Sequence, residues 1–153
     1  MEEREYHETV VQINRVSKKT KGGNQMRFTA LVVVGDKKGK VGAALAKAMD
    51  VRTAIQKAFA HAKRDMITVP LSGTTIPFEV REKFSAARII LKPAPKGSGI
   101  IAGGPMRAVL EAAGVRDAVG KILGTNNKIS NVYATISALK KISEWQATKK
   151  TKE

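Results

Sequence analysis

The chain has 153 residues, 42% of them hydrophobic, which is enough to bury a core in one domain or two small ones. It carries 28 Lys+Arg against 13 Asp+Glu, a formal net charge of +15, and such a field draws polyanions. The absence of cysteine excludes disulfides, thiolate metal sites and cysteine nucleophiles. No apolar run is long enough for a bilayer, and the acidic start MEEREYHE is unlike a signal or transit peptide. These features predict a cytoplasmic protein with no membrane partner.

Residues 1–8 read as a tail. Residues 9–17 (TVVQINRVS) and 26–34 (MRFTALVVV) are rich in β-branched side chains and predict strands. In the second, Phe28, Ala30, Val32 and Val34 fall on one face and Arg27 and Thr29 on the other. Residues 35–39 (GDKKG) form a turn, and 40–45 return as a third strand, although GAALAKA is equally compatible with a helix. Asp50 suits the N-cap of a helix in which Val51, Ala54, Ile55, Ala58, Ala62 and Met66 form a buried stripe. Lys57, His61 and Arg64 line up on an exposed basic face of that helix. The expectation for 9–68 is a three-stranded antiparallel sheet backed by one helix.

Residues 68–77, with two prolines and a glycine, mark a boundary, and a second domain is expected over 69–142. It reads as strands at 78–81 and 86–92, a glycine-rich turn, a helix, a weak strand at 118–123 and a last helix capped by Ser130. Pro105 suits the first position of the earlier helix and Gly114 its C-terminal stop, with Met106, Val109, Leu110 and Ala113 as its apolar stripe. Val132, Ile136 and Leu139 give the last helix its buried face. Residues 143–153 read as a polar tail, of which ATKKTKE (147–153) is expected to be disordered. The fold class is α+β: a three-stranded antiparallel sheet with a helix, then a β-α-β-α two-layer domain.

The stretch KGSGIIAGGPMRAVLEAAGV (96–115) invites a phosphate-loop reading, because free N–H groups at a helix start attract anions. Gly97 to Ala102 match G-x-G-x-x-A, with Asp117 about twenty residues on. The context argues against a dinucleotide site: Pro93 and Pro95 interrupt the approach, the helix starts near Pro105, and Asp117 would open the next strand rather than close it. A loop that only packs against a neighbour, or one that contacts an anion or a protein through Lys96, Gly99, Gly103, Gly104 and Arg107, both stay open. No catalytic constellation and no metal-ligand spacing is present, and no cofactor is implied.

The strongest local signal is 15–40, where Arg15, Lys18, Lys19, Lys21, Arg27, Lys37, Lys38 and Lys40 face one acid, Asp36. SKKTKGGN (17–24) sits at a hairpin tip, where lysines and glycines can follow a phosphate backbone. An isolated charge run is usually a solvated loop, but the overall charge and the basic helix face point the same way. With aromatics at 5%, stacking platforms are scarce, which favours folded RNA read through backbone and shape.

INRVSKKTKGGNQMRFTALVVVGDKKGKVG, AIQKAFAHAKRDMI and above all GSGIIAGGPMRAVLEAAGV resemble the bacterial small-subunit ribosomal protein number five family, in register from about residue 10 to 139. The resemblance implies a first domain similar to double-stranded-RNA-binding domains and a second shared with elongation factor G and the GHMP kinases. PAPKGSG (93–99) echoes the kinases' phosphate loop, but IIAGG replaces its serine-rich part. It further implies a ribosome-bound protein between head and body, binding small-subunit ribosomal RNA, touching small-subunit proteins four and eight, lying near the mRNA path and influencing decoding accuracy. The tip loop 17–23 would lie near the spectinomycin site, and Gly99 and Arg107 at the boundary with protein four. The expected RNA contacts are Arg15, Ser17, Lys18, Lys19, Lys21, Gly22, Gly23 and Arg27, with Lys57 and Arg64. The expected protein-facing loop is Gly99, Gly103, Gly104 and Arg107. The alternatives are a nucleotide-binding GHMP-kinase-like remnant and a free-standing RNA-binding module.

Overall fold

A computed structural model describes residues 6–71 and 73–152, apart from the side chains of 18–20, 24, 25 and 147–152. The first half forms β1 (His7–Thr20), β2 (Gly23–Gly35), β3 (Lys40–Ala48), α1 (Val51–Arg64) and β4 (Ile67–Thr68). The second forms β5 (Val80–Phe84), β6 (Ala87–Pro93), β7 (Ile100–Ile101), α2 (Gly104–Ala113), β8 (Ala118–Leu123) and α3 (Lys128–Lys152). Two four-stranded sheets result, ordered β1-β2-β3-β4 and β5-β6-β8-β7. All pairings are antiparallel except β7 with β8.

The ambiguous GAALAKA stretch is strand. β3 pairs with β2 from Phe28↔Ala48 to Gly35↔Val41. Its small side chains do not signal helix; Ala44 and Ala46 let Ala54, Ala58 and Ala62 of α1 approach the sheet closely. Asp50 caps α1 as expected, accepting from Thr53 N–H at 2.9 Å. α1 ends at Arg64, so Met66 lies beyond it.

Both expected tails need correction where they are described. His7 and Glu8 already belong to β1, and residues 1–5 lie outside the described residues. α3 does not stop at 142 but runs to Lys152. Residues 143–152 hold no Gly or Pro, so a helix begun on buried Val132, Leu139 and Ile142 can propagate, with Lys141 Nζ 5.0 Å over the Trp145 ring. Its start also differs: Asn127 Oδ1 accepts from Ile129 N–H at 3.0 Å, which makes Asn127 the capping residue, and Ser130 lies inside the helix.

β2 is covered on both faces, and Ala30 to Val34 are 0% exposed. Ala30, Val32 and Val34 pack on α1, whereas Leu31 and Val33 join a cluster with Val109 and Leu110 of α2, Ile89 and Leu91 of β6 and Leu139 of α3. The single backing helix expected for the first sheet is therefore one of two covers. Burying each such side chain contributes about 1.5–3 kcal/mol.

The turn between β2 and β3 locks the halves together. Asp36 Oδ1 accepts from Lys38 and Lys40 N–H at 2.8 and 3.0 Å, shaping the turn around Lys37 at φ 58. From that turn Lys37 N–H donates to Ala112 O at 3.0 Å and Gly39 N–H to Ala113 O at 2.9 Å, filling carbonyls at the end of α2 that a helix leaves open. A Cβ at Gly114 would lie 2.3 Å from the Lys37 carbonyl oxygen, at φ 96. Gly114→Ala should lower stability by about 2–4 kcal/mol, combining a left-handed backbone with overpacking. A urea titration checks this, and a loss below about 0.5 kcal/mol, ordinary for a surface change, would show that turn and helix end do not meet.

Candidate nucleic-acid interface

β3 stops pairing at Phe28, but β1 and β2 continue past it through Val16↔Arg27, Ser17↔Met26, Lys18↔Gln25, Lys19↔Asn24 and Thr20↔Gly23. This two-stranded ribbon projects ~17 Å beyond the sheet at about 3.3 Å per residue. Among the described residues no third strand pairs with it, and Val16 and Met26 at its base are exposed. A lone hairpin is marginally stable in water, so its stiffness comes from the buried sheet behind it.

Alternation divides its side chains between two faces. Arg15 lies opposite Phe28, and Ser17 opposite Met26, on the face that carries α1; Arg27, opposite Val16, lies on the other. The Arg15 guanidinium rests against the Met26 sulfur. The ion pairs among the described residues are Arg64–Asp65, Arg81–Glu79 and Arg107–Glu111, so none neutralises Arg15, Lys21 or Arg27. Lys21, Gly22 and Gly23 form the exposed tip. Lys18 and Lys19 are in β1, but their side chains lie outside the described residues.

On the basic face of α1 the Arg64 guanidinium lies 3.0 Å from His61 Nδ1. Lys57 and Arg64 are exposed, two turns apart, with Arg64 Nε 3.8 Å from Asp65. His61 is not exposed as expected; it is partly buried in a groove between α1, β3 and α3, beside Asp65 and Tyr133. Burial pushes the Tyr133 hydroxyl pKa up, against a hydrogen bond with the Leu45 backbone and with help from Asp65.

The other expected set gathers around α2. Gly99 and Arg107 share a cleft with Lys37, Glu111 and Arg116, where Arg107 Nε meets Glu111 Oε1 at 3.0 Å. Gly103 is the N-cap of α2 and Gly104 its first residue, the latter beside Thr9, Val10 and Val11 of β1. That end of β1 is about 30 Å from the ribbon tip, counted along the strand, so the two expected surfaces are separate.

Asp117 stands immediately before β8, as its sequence position implies, but the contacts of its carboxylate come from the fold. Its Oδ1 accepts from Gly97 N–H at 3.2 Å and Gly99 N–H at 2.8 Å, so those two donors are already used. The twenty-residue spacing that suggested a ribose contact is the span that returns Asp117 to the glycines. The Thr74 hydroxyl first, then the Gly99 N–H, hold its pKa below the ordinary 3.8, against desolvation that raises it. No cluster of metal-ligating side chains occurs among the described residues, nor any helix long and apolar enough to cross a membrane.

Because the folded state lowers this pKa, the stabilisation is complete above the unfolded value of 3.8 and is lost as pH falls through the lowered one. Asp117→Asn should therefore be less stable than the parent at neutral pH, and the gap should close toward acid pH. Thermal melts across pH check this; a gap that stays constant would detach the carboxylate's charge from the loop.

Two family models match the chain in succession. Ribosomal protein S5, N-terminal domain, matches residues 6–70, and Ribosomal protein S5, C-terminal domain, matches residues 82–152.

Proposed function

The chain belongs to the ribosomal protein S5 family, and on that premise we propose that it holds the geometry between head and body of the small ribosomal subunit and so contributes to decoding accuracy. Membership makes it a ribosome-bound structural protein that binds small-subunit ribosomal RNA among ribosomal protein partners. In the proposed reading those partners are proteins four and eight, the mRNA path lies nearby, and the work is static. Cations neutralise crowded phosphates and fix one RNA arrangement.

The observation that carries the reading is the ribbon. It projects from a buried sheet, has Arg15 at its root on one face and Arg27 on the other, and carries no acid between Val16 and Arg27. Arg15, Ser17, Lys18, Lys19, Lys21, Gly22, Gly23 and Arg27 are its proposed RNA contacts, with Lys57 and Arg64 as a second line on α1. Gly99, Gly103, Gly104 and Arg107 form the proposed protein-facing loop. Nucleotide binding loses its support because the N–H groups of Gly97 and Gly99 already serve Asp117.

Affinity for a small-subunit ribosomal RNA fragment over a salt series tests this. Lys21→Ala and Arg27→Ala should each reduce the slope of log K against log salt by about 0.7–0.9, the value of one phosphate contact. Binding should weaken evenly across sequences. Unchanged slopes in both variants, with the fold intact, would remove the ribbon from the RNA interface.

A further inference from the structure

The glycine loop has the build of an anion receptor. Gly97 and Gly99 lie either side of Ser98 with φ 94 and 74, and left-handed residues in such a turn can point backbone N–H groups toward one anion. Ser98 N–H closes the turn on Pro95 O at 3.1 Å. The anion at that point belongs to the chain itself. Asp117 is 4% exposed, its Oδ1 takes both glycine N–H groups, and the Thr74 hydroxyl donates to the same carboxylate.

The backbone that carries the carboxylate is held as well. Arg116 and Asp117 N–H both donate to Thr74 O, at 2.9 and 3.0 Å, and Ala118 N–H donates to Gly99 O at 3.2 Å, where β8 meets β7. The surroundings would attract a free anion if this position were vacant. Lys37, Arg107 and Arg116 line the adjoining cleft with Gly99, against one acid, Glu111, which is paired with Arg107.

We propose that Asp117 is the resident anion of the glycine loop, a positioning and specificity-determining residue that shapes 97–99 and denies its donors to phosphate groups. A phosphate approaching Gly97 and Gly99 meets a fixed negative charge at hydrogen-bonding distance, with both glycine N–H groups already taken. A loop whose glycines read like a nucleotide site is thereby kept as a surface of defined shape.

The test uses the full chain, with backbone amide NMR signals of Gly97 and Gly99 and thermal melts as readouts. In the parent protein, inorganic phosphate and formate should leave both signals unmoved at neutral pH. On acidification the two signals should titrate together, below the ordinary carboxylate value. Glu111→Gln, which removes the other carboxylate of the cleft, should leave that titration in place. In Asp117→Ala, formate and phosphate should shift both signals saturably and raise the melting midpoint, whereas chloride at equal ionic strength should not. This rescue separates an anion-occupied seat from a merely structural side chain. A saturable phosphate shift in the parent, a folded Asp117→Ala that ignores both anions, or equal rescue by chloride overturns the proposal. Should Asp117→Ala fail to fold, Asp117→Asn decides: it retains an acceptor oxygen without the charge, and persistence of the acid titration in it overturns the assignment.

Discussion

The turn that joins β2 to β3 and the C-terminus of α2 complete one another, and the relative placement of everything else follows from that joint. A helix ends with carbonyls that its own backbone does not satisfy. Here Lys37 and Gly39 supply the N–H groups from the other half of the chain. Each bond contributes about 0.5–1.5 kcal/mol. The apolar contact beside them is larger, since Leu31, Val33 and Val41 from the first sheet share one core with Val109 and Leu110 from α2. Gly39 also accepts from Val69 N–H at 2.6 Å, so the connection between the sheets is held at the same place.

β2 has the locked turn at one end and the projecting ribbon at the other. α2 has the locked turn at its C-terminus and the glycine loop before its N-terminus. A displacement at the ribbon must therefore strain a closely packed core before the loop can move independently. For a protein proposed to hold a fixed geometry within a particle, that stiffness is the relevant property, and it comes from packing rather than from charge.

Charge is handled in opposite ways at the two ends. On the ribbon, Arg15, Lys21 and Arg27 have no acidic partner among the described residues, so an external polyanion can neutralise them. At the glycine loop the anion is internal, because Asp117 occupies the donors of Gly97 and Gly99. Backbone donors and basic side chains alone do not predict a phosphate ligand; what matters is whether the fold already supplies the negative charge.

Where structure depends on near neighbours in the chain, the sequence by itself determined it. β-branched runs marked β1, β2 and β6, the alanine spacing marked α1, Asp50 its cap, and Pro105 and Gly114 the ends of α2, since each reports a local backbone preference or period. The basic run from Arg15 to Lys40 marked the ribbon for the same reason. The remaining features were settled between elements distant in the chain. GAALAKA became a strand because β2 and α1 close on it, and the run ALVVV was buried on both faces because α2 covers the side away from α1. α3 continued past 142 because its buried turns carry a sequence with no helix breaker, and Asn127 rather than Ser130 capped it where the preceding loop turned. Asp117 was visible as a residue but not as an anion: only the fold brings it back to Gly97 and Gly99, because a hydrogen bond depends on distance in space and has no signature in sequence spacing.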